Sequence, residues 1–326
     1  MQKLKEKTVL LLAPKFFEYE LEIKKELESF GAKVYLYDER PKNDFFTKVF
    51  LRLNLKSLIQ NKIDVYYENI INSTKDKKID YLFLVNAETI DRVKILRLKE
   101  LHPDIKVYTY MWDSIKNKKK FSQYIEVSDK FFTFDPSDVK INNKIDFLPL
   151  FYIEDYKNLD NTTTDEYDIS FIGTIHSNRY QIVKLIQTEG LKVFYFFYSP
   201  SKILFTLQRF LNKDFRSVNP NDISFESLNK RQILEKISTS KAVIDIEHPD
   251  QKGLTMRTME MIGAKKKLIT TNSNIKEYDF YNTVNICIID RENPKIPKSF
   301  FESKYEELPQ NIYYKYSLSN WIKQIF

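Results

Sequence analysis

The chain has 326 residues, 52 Lys and Arg against 45 Asp and Glu for a net charge of +7, and one cysteine. A single hydrophobic core stops growing near about 250–300 residues, so two domains are expected, and 42% apolar residues with only five glycines exclude a disordered chain. Cys287 alone excludes a disulfide framework and a cysteine-built zinc site, while the positive balance favours anionic partners.

The opening MQKLKEKTVLLLAPKFF has too short an apolar run before Pro14 to span a membrane and no small-residue cleavage site, so a cytoplasmic protein is expected. β-type runs then alternate with helical patterns, the sequence form of a parallel sheet with crossover helices. Strands are predicted at 8–13, 33–37, 81–85, 106–110, 130–134 and 146–150. Between the first two, Leu21, Ile23, Leu27 and Phe30 fall near helical spacing before Gly31, a natural C-terminal cap. Residues 116–120 are lysine-rich.

The polar segment 153–166, with its threonine run 162–164, reads as a linker between a domain at 1–152 and a second at 167–310. There the alternation restarts, with strands at 168–172, 192–197, 242–246, 267–271 and 284–289. Helices are predicted at 177–189, 201–212, 227–239 and 255–262, the last stopping at Gly263. In the stretch 201–216, Ile203, Leu204, Leu207, Phe210 and Leu211 share a face amid Lys202, Arg209, Lys213 and Arg216. Burial against the domain's own sheet is the preferred reading and peripheral contact with an anionic membrane the alternative. Residues 311–326 predict a terminal amphipathic helix with Leu318, Trp321, Ile322 and Ile325 on one face.

Ligands of open parallel sheets bind beyond the carboxyl ends of the strands. After 168–172 comes GTIHSNR, where Gly173 permits close backbone approach, Ser177 or Asn178 is placed to cap the next helix, and Arg179 is placed to meet a phosphate. After 242–246, Arg257 and Glu260 lie three apart on one helix face. A carboxylate there can accept both ribose hydroxyls and an arginine can neutralise a diphosphate; the plainer reading is a surface salt bridge. His176 and His248 follow strand ends, as candidates to approach phosphate or sugar, and no metal-ligand spacing connects them. In the first half, YTYMWDSI delivers Trp112 and Asp113 to a strand end, Asp113 being a helix cap or a catalytic base. Asp135 before Pro136 suits a turn cap better than a sugar contact. No G-x-G-x-x-G or P-loop pattern occurs, which argues against nicotinamide enzymes and P-loop NTPases.

YDISFIGTIHSNR followed by SKAVIDIEHPDQKGLTMRTMEMIGAKKKLITTN resembles the C-terminal domain of bacterial GT-B glycosyltransferases, especially lipooligosaccharide and capsule biosynthesis enzymes and the CgeB-like group. The likeness covers roughly residues 167–280. It implies an α/β fold of two Rossmann-like domains facing a cleft, with a C-terminal helix. Glu260 then resembles the glutamate that binds the nucleotide ribose, and Gly253, Thr255, Arg257 and Arg179 match positions near the diphosphate. Where many retaining enzymes carry a second glutamate, eight positions before the first, this chain has Lys252, with Asp250 and Glu247 nearby.

The resemblance implies transfer of a sugar from a nucleotide diphosphate to a surface glycan or lipid-linked acceptor, without a metal or other cofactor. Two alternatives stand beside it. One is an epimerase or hydrolase of nucleotide sugars on the same scaffold; the other is a nucleic-acid-binding protein, suggested only by charge and aromatic content, and nucleic acid is not expected as a partner.

Overall fold

The computed structural model describes residues 4–42, 56–116, 121–161, 164–249 and 251–326. Residues 117–120 of the lysine-rich run, Thr162, Thr163 and Asp250 lie outside these. The chain divides into two compact units, Met1–Pro149 with Leu318–Phe326, and Leu150–Ser317.

The first unit is built on a parallel sheet in the order β2-β1-β3-β4-β5-β6. Its strands are β1 Thr8–Ala13, β2 Lys33–Asp38, β3 Tyr81–Val85, β4 Lys106–Met111, β5 Lys130–Thr133 and β6 Ile145–Phe147. Strands covered on both faces read as apolar runs, as TVLLLA of β1 does. The Tyr19–Ser29 helix buries Ile23 and Leu27, whereas Leu21, predicted on the same face, is half exposed. Gly31, at φ +88°, takes the left-handed conformation that ends this helix.

The terminal amphipathic segment forms two helices, Gln310–Lys315 in the second unit and Leu318–Ile325 in the first. In the first unit Trp321 packs on Tyr110 and Phe83, at ring separations of 4.7 and 5.8 Å, and Phe326 contacts Tyr81, Phe83 and Tyr108. Lys130 Nζ donates to the Ile325 carbonyl at 2.6 Å. The helix thereby supplies large side chains to the first unit's core.

The second unit carries a parallel sheet in the order β12-β11-β10-β7-β8-β9. Its strands are β7 Tyr167–Thr174, β8 Val193–Tyr198, β9 Ile223–Ser224, β10 Ser240–Asp245, β11 Lys267–Thr270 and β12 Ile286–Ile288. Strand β9 is absent from the sequence reading because two residues carry no periodicity. The segment 153–166 holds a short helix, Glu154–Lys157, whose Tyr156 is buried.

Gly263 does not stop its helix, which runs Met256–Ala264 and ends at Lys265, φ +52°. The glycine serves packing instead: a Cβ at 263 would lie 2.6 Å from the Tyr152 ring. The preferred burial of the 201–216 stretch is also corrected. In the Lys202–Leu211 helix only Phe205 is buried, while Ile203, Leu207, Phe210 and Leu211 are exposed. Phe205 occupies the contact with the unit, at 6.2 Å from Phe215 and 6.0 Å from Phe225, and turns the predicted apolar face outward.

Candidate functional site

Strand order in the second unit reverses between β7 and β10: β8 and β9 extend the sheet on one side, β11 and β12 on the other. The carboxyl ends at such a switch point diverge and leave a crevice. His176 and Arg179 follow β7 here, and Asp245 ends β10, followed by Glu247 and His248.

Strand β7 continues through Gly173 to Thr174, so Gly173 lies within the strand rather than in the loop. A Cβ there would stand 3.3 Å from Arg179 Nη1 and 3.1 Å from Phe171, so the missing side chain gives the arginine room. Arg179 donates from Nε to the Ile246 carbonyl at 2.6 Å and from Nη1 to the Thr174 carbonyl at 2.9 Å, which ties together the ends of β7 and β10. Burial lowers its pKa to about 10, with Arg291 and Arg257 pushing the same way against Asp245 and Glu247. Neither predicted cap of the following helix makes a capping bond. Asn178 accepts from Arg291 Nη1 at 2.8 Å, and Ser177, at φ +47°, pairs its hydroxyl with His176 Nδ1 at 2.7 Å.

His176 and His248 face each other with rings 5.7 Å apart. Burial pushes the His176 imidazole down to about 3, and the charges of Arg179, His248 and Arg291 add to it. His176 is therefore neutral at ordinary pH and can give or take one hydrogen bond without adding charge.

Sequence reasoning missed Arg291. It follows β12 in a turn fixed by Asp290, whose carboxylate accepts the Glu292 and Asn293 backbone N–H groups. Its Nη2 donates to the Glu247 carboxylate at 2.8 Å and to the Glu247 carbonyl at 2.6 Å. The other Glu247 oxygen accepts from the Thr271 hydroxyl. Inspecting strand ends, the rule that selected Arg179, also finds Arg291 once applied to the last strand.

Asp245, fully buried, accepts from Thr255 Oγ1 at 2.5 Å and Thr258 Oγ1 at 2.8 Å. Burial raises its pKa, opposed by these two bonds and by Arg179. Thr255 is the N-cap of the Met256–Ala264 helix, accepting the Thr258 N–H at 3.3 Å. Asp245 thus holds the helix N-terminus, the positive end of its dipole, at the end of β10. Gly253 is buried, and its carbonyl accepts from Gln251 Nε2 at 2.9 Å.

Arg257 and Glu260 pair at 2.6 Å, with side chains only 16% and 7% exposed. This is an i,i+3 ion pair, but a covered one rather than a surface one: Tyr156 hydrogen-bonds with both residues, and its hydroxyl pKa lies well above the ordinary value through burial and then Glu260. The arrangement concentrates Arg179, Arg291, two imidazoles and a helix N-terminus at one sheet edge, a set suited to a dianionic group.

In the first unit no helix begins within 113–116, so Asp113 is no helix cap there. Its Oδ2 accepts from Asn86 Nδ2 at 3.3 Å, and Asn86 follows β3 in the left-handed conformation. Trp112 lies 5.9 Å from the ring of Phe16, which follows β1. Asp135 caps a turn, its Oδ1 accepting from the Ser137 backbone N–H at 2.9 Å and hydroxyl at 2.6 Å. The buried Asp138 accepts from the Ile115 N–H and the Thr133 hydroxyl, fastening the loop that carries Trp112 and Asp113. Among the described residues no group of three or more His, Cys, Asp or Glu could hold a metal ion, and no helix is long and apolar enough to cross a membrane.

No family model matches the chain, and no curated protein matches it in sequence. Solved structures are similar over nearly its whole length, among them these three. The Candida albicans trehalose-6-phosphate phosphatase N-terminal domain has TM-score 0.58 and 10% identity, covering 99% of this chain and 96% of that one. Methanocaldococcus jannaschii UDP-GlcNAc 2-epimerase, in complex with UDP-GlcNAc and UDP, has TM-score 0.54 and 12% identity, covering 98% and 99%. The lipopolysaccharide outer core galactosyltransferase WaaB, apo form, has TM-score 0.50 and 12% identity, covering 98% and 95%. At such identities the likeness is one of fold. The chain has a GT-B-like α/β fold of two Rossmann-like units with a C-terminal helix, shared with that galactosyltransferase and that UDP-GlcNAc 2-epimerase.

Proposed function

We propose that the chain is a glycosyltransferase that moves a sugar from a nucleotide diphosphate to a surface glycan or lipid-linked acceptor of the lipooligosaccharide or capsule type. The convergence of Arg179, Arg291, His176 and His248 at the β7/β10 switch point, beside the N-terminus of the Met256–Ala264 helix, carries this reading. The bond from the anomeric carbon to the diphosphate breaks, a bond to the acceptor oxygen forms, and the acceptor's proton passes to Asp113. The nucleoside diphosphate leaves with its new charge held by Arg179, Arg291 and backbone amides, without a metal ion. Glu260 takes the ribose hydroxyls, exchanging part of its bond to Arg257, while Arg257, Thr255 and Gly253 line the diphosphate end. Trp112 offers a ring face to the acceptor sugar.

A second reading, interconversion of a free nucleotide sugar, suits the neutral His176 beside the same diphosphate position. Product analysis separates the two. Incubation with UDP-, GDP-, CMP- and ADP-linked sugars should release the nucleotide only when a glycan or glycolipid acceptor is added. Isomerised nucleotide sugar without acceptor establishes the second reading, and a melting temperature unmoved by any nucleoside diphosphate defeats both.

A further inference from the structure

The Lys202–Leu211 helix presents its apolar side to solvent. Ser201 caps it, accepting the Leu204 N–H at 3.3 Å, and Phe205, 3% exposed, anchors it through Phe215 and Phe225. At the helical period Ile203, Leu207, Phe210 and Leu211 fall on the side away from Phe205, and they are 69%, 50%, 74% and 83% exposed. A surface helix ordinarily buries that stripe. No acidic residue occurs from 201 to 213, and Lys202, Lys213 and Arg216 are exposed on the same segment, with Asp214 the one opposing charge.

We propose that this face inserts into an anionic lipid surface. The helix lies in the interface plane, its four apolar side chains at the acyl boundary and its lysines and arginines among the headgroups. Two features favour lipid over protein, and a third makes insertion of so short a helix feasible. The stripe is about 15 Å long, too small for the roughly 800 Å² per partner of a stable protein interface. Its segment carries four cations, Lys202, Arg209, Lys213 and Arg216, against the single carboxylate of Asp214. The fold has already formed the helix, so insertion need not nucleate it from coil, the step that makes short free helices marginal. The inference goes beyond the nucleotide-sugar reading and does not rest on it.

Co-sedimentation of the full chain with vesicles tests the proposal. Binding is expected to mixed phosphatidylcholine and phosphatidylglycerol vesicles, weaker to phosphatidylcholine alone, and reduced by added salt. Phe210→Ser with Leu211→Ser should lower partitioning by about tenfold or more at an unchanged melting temperature, since both side chains are exposed. Should that pair misfold, Phe210→Trp gives a second reading: its added fluorescence should shift to the blue with anionic vesicles. A wild-type chain that stays in the supernatant, or a Phe210→Trp emission that does not move, overturns the proposal. So does a concentration-dependent dimer abolished by the serine pair without vesicle binding, which assigns the stripe to self-association.

Discussion

Arg291 grips Glu247 twice through one nitrogen, at 2.8 Å to the carboxylate and 2.6 Å to the carbonyl, while its Nη1 holds Asn178 at 2.8 Å. One guanidinium thus joins the loops after β7, β10 and β12. Arg291→Lys keeps the charge and loses the fork. It should weaken nucleoside diphosphate binding by about tenfold or more while changing affinity for the bare nucleoside little, measured by calorimetric titration. Equal losses for both ligands would give Arg291 a structural role only.

Glu260→Gln tests the ribose contact. A hydrogen bond to a charged group contributes roughly 1.5–3 kcal/mol, and the variant should lose about that much nucleoside diphosphate affinity. Removing one partner of a covered ion pair also destabilises the fold, by up to about 3–5 kcal/mol, so the melting temperature is followed in parallel. A less stable protein with unchanged affinity would make Arg257 and Glu260 a brace beneath Tyr156 rather than a ligand site.

Asp113→Asn is nearly isosteric and keeps an oxygen facing Asn86. If Asp113 takes the acceptor's proton, turnover should fall by about 10²-fold or more with donor affinity preserved. Steady-state kinetics with varied donor would detect the split between kcat and KM. Turnover near wild type would leave Asp113 a structural role, its bond to Asn86 included, and no part in proton transfer.

The pH dependence follows from His176. Its folded pKa, about 3, lies below the unfolded value of about 6.5, so between these values the unfolded chain binds more protons. The stability that His176 contributes is present above that window and is lost as pH falls through it. His176→Gln should reduce the slope of unfolding free energy against pH by up to about one proton between about pH 4 and 6.5. Denaturant titrations at a series of pH values measure this slope; parallel curves would mean that the imidazole is not kept neutral by the fold.

Much of the architecture was legible because buried parallel strands are written as apolar runs, and eleven of the strands appear at the predicted places within a few residues. What was not legible depends on partners distant in sequence. Gly263 reads as a helix stop until Tyr152 is laid against it, and Thr255 and Thr258 gain their meaning from Asp245. The outward stripe of the Lys202–Leu211 helix has the same pattern as a buried one; periodicity finds a face and does not say what covers it. Arg179 stood out beside a glycine in a recognisable loop, while Arg291, in a turn without such a mark, did not.

The closing helix also bears on the order of synthesis. Residues 150–317 form one unit whose two ends meet, Tyr152 pairing with Ser317 and its N–H bonding the Tyr316 carbonyl at 2.9 Å. The first unit, begun earlier on the ribosome, lacks Trp321 and Phe326 until residues 318–326 emerge. Until then Phe83 and Tyr110 are without the aromatic neighbours that cover them in the finished fold. The second unit can therefore mature before the first, so a nascent chain arrested before Leu318 would display a half-covered sheet, a natural target for chaperones.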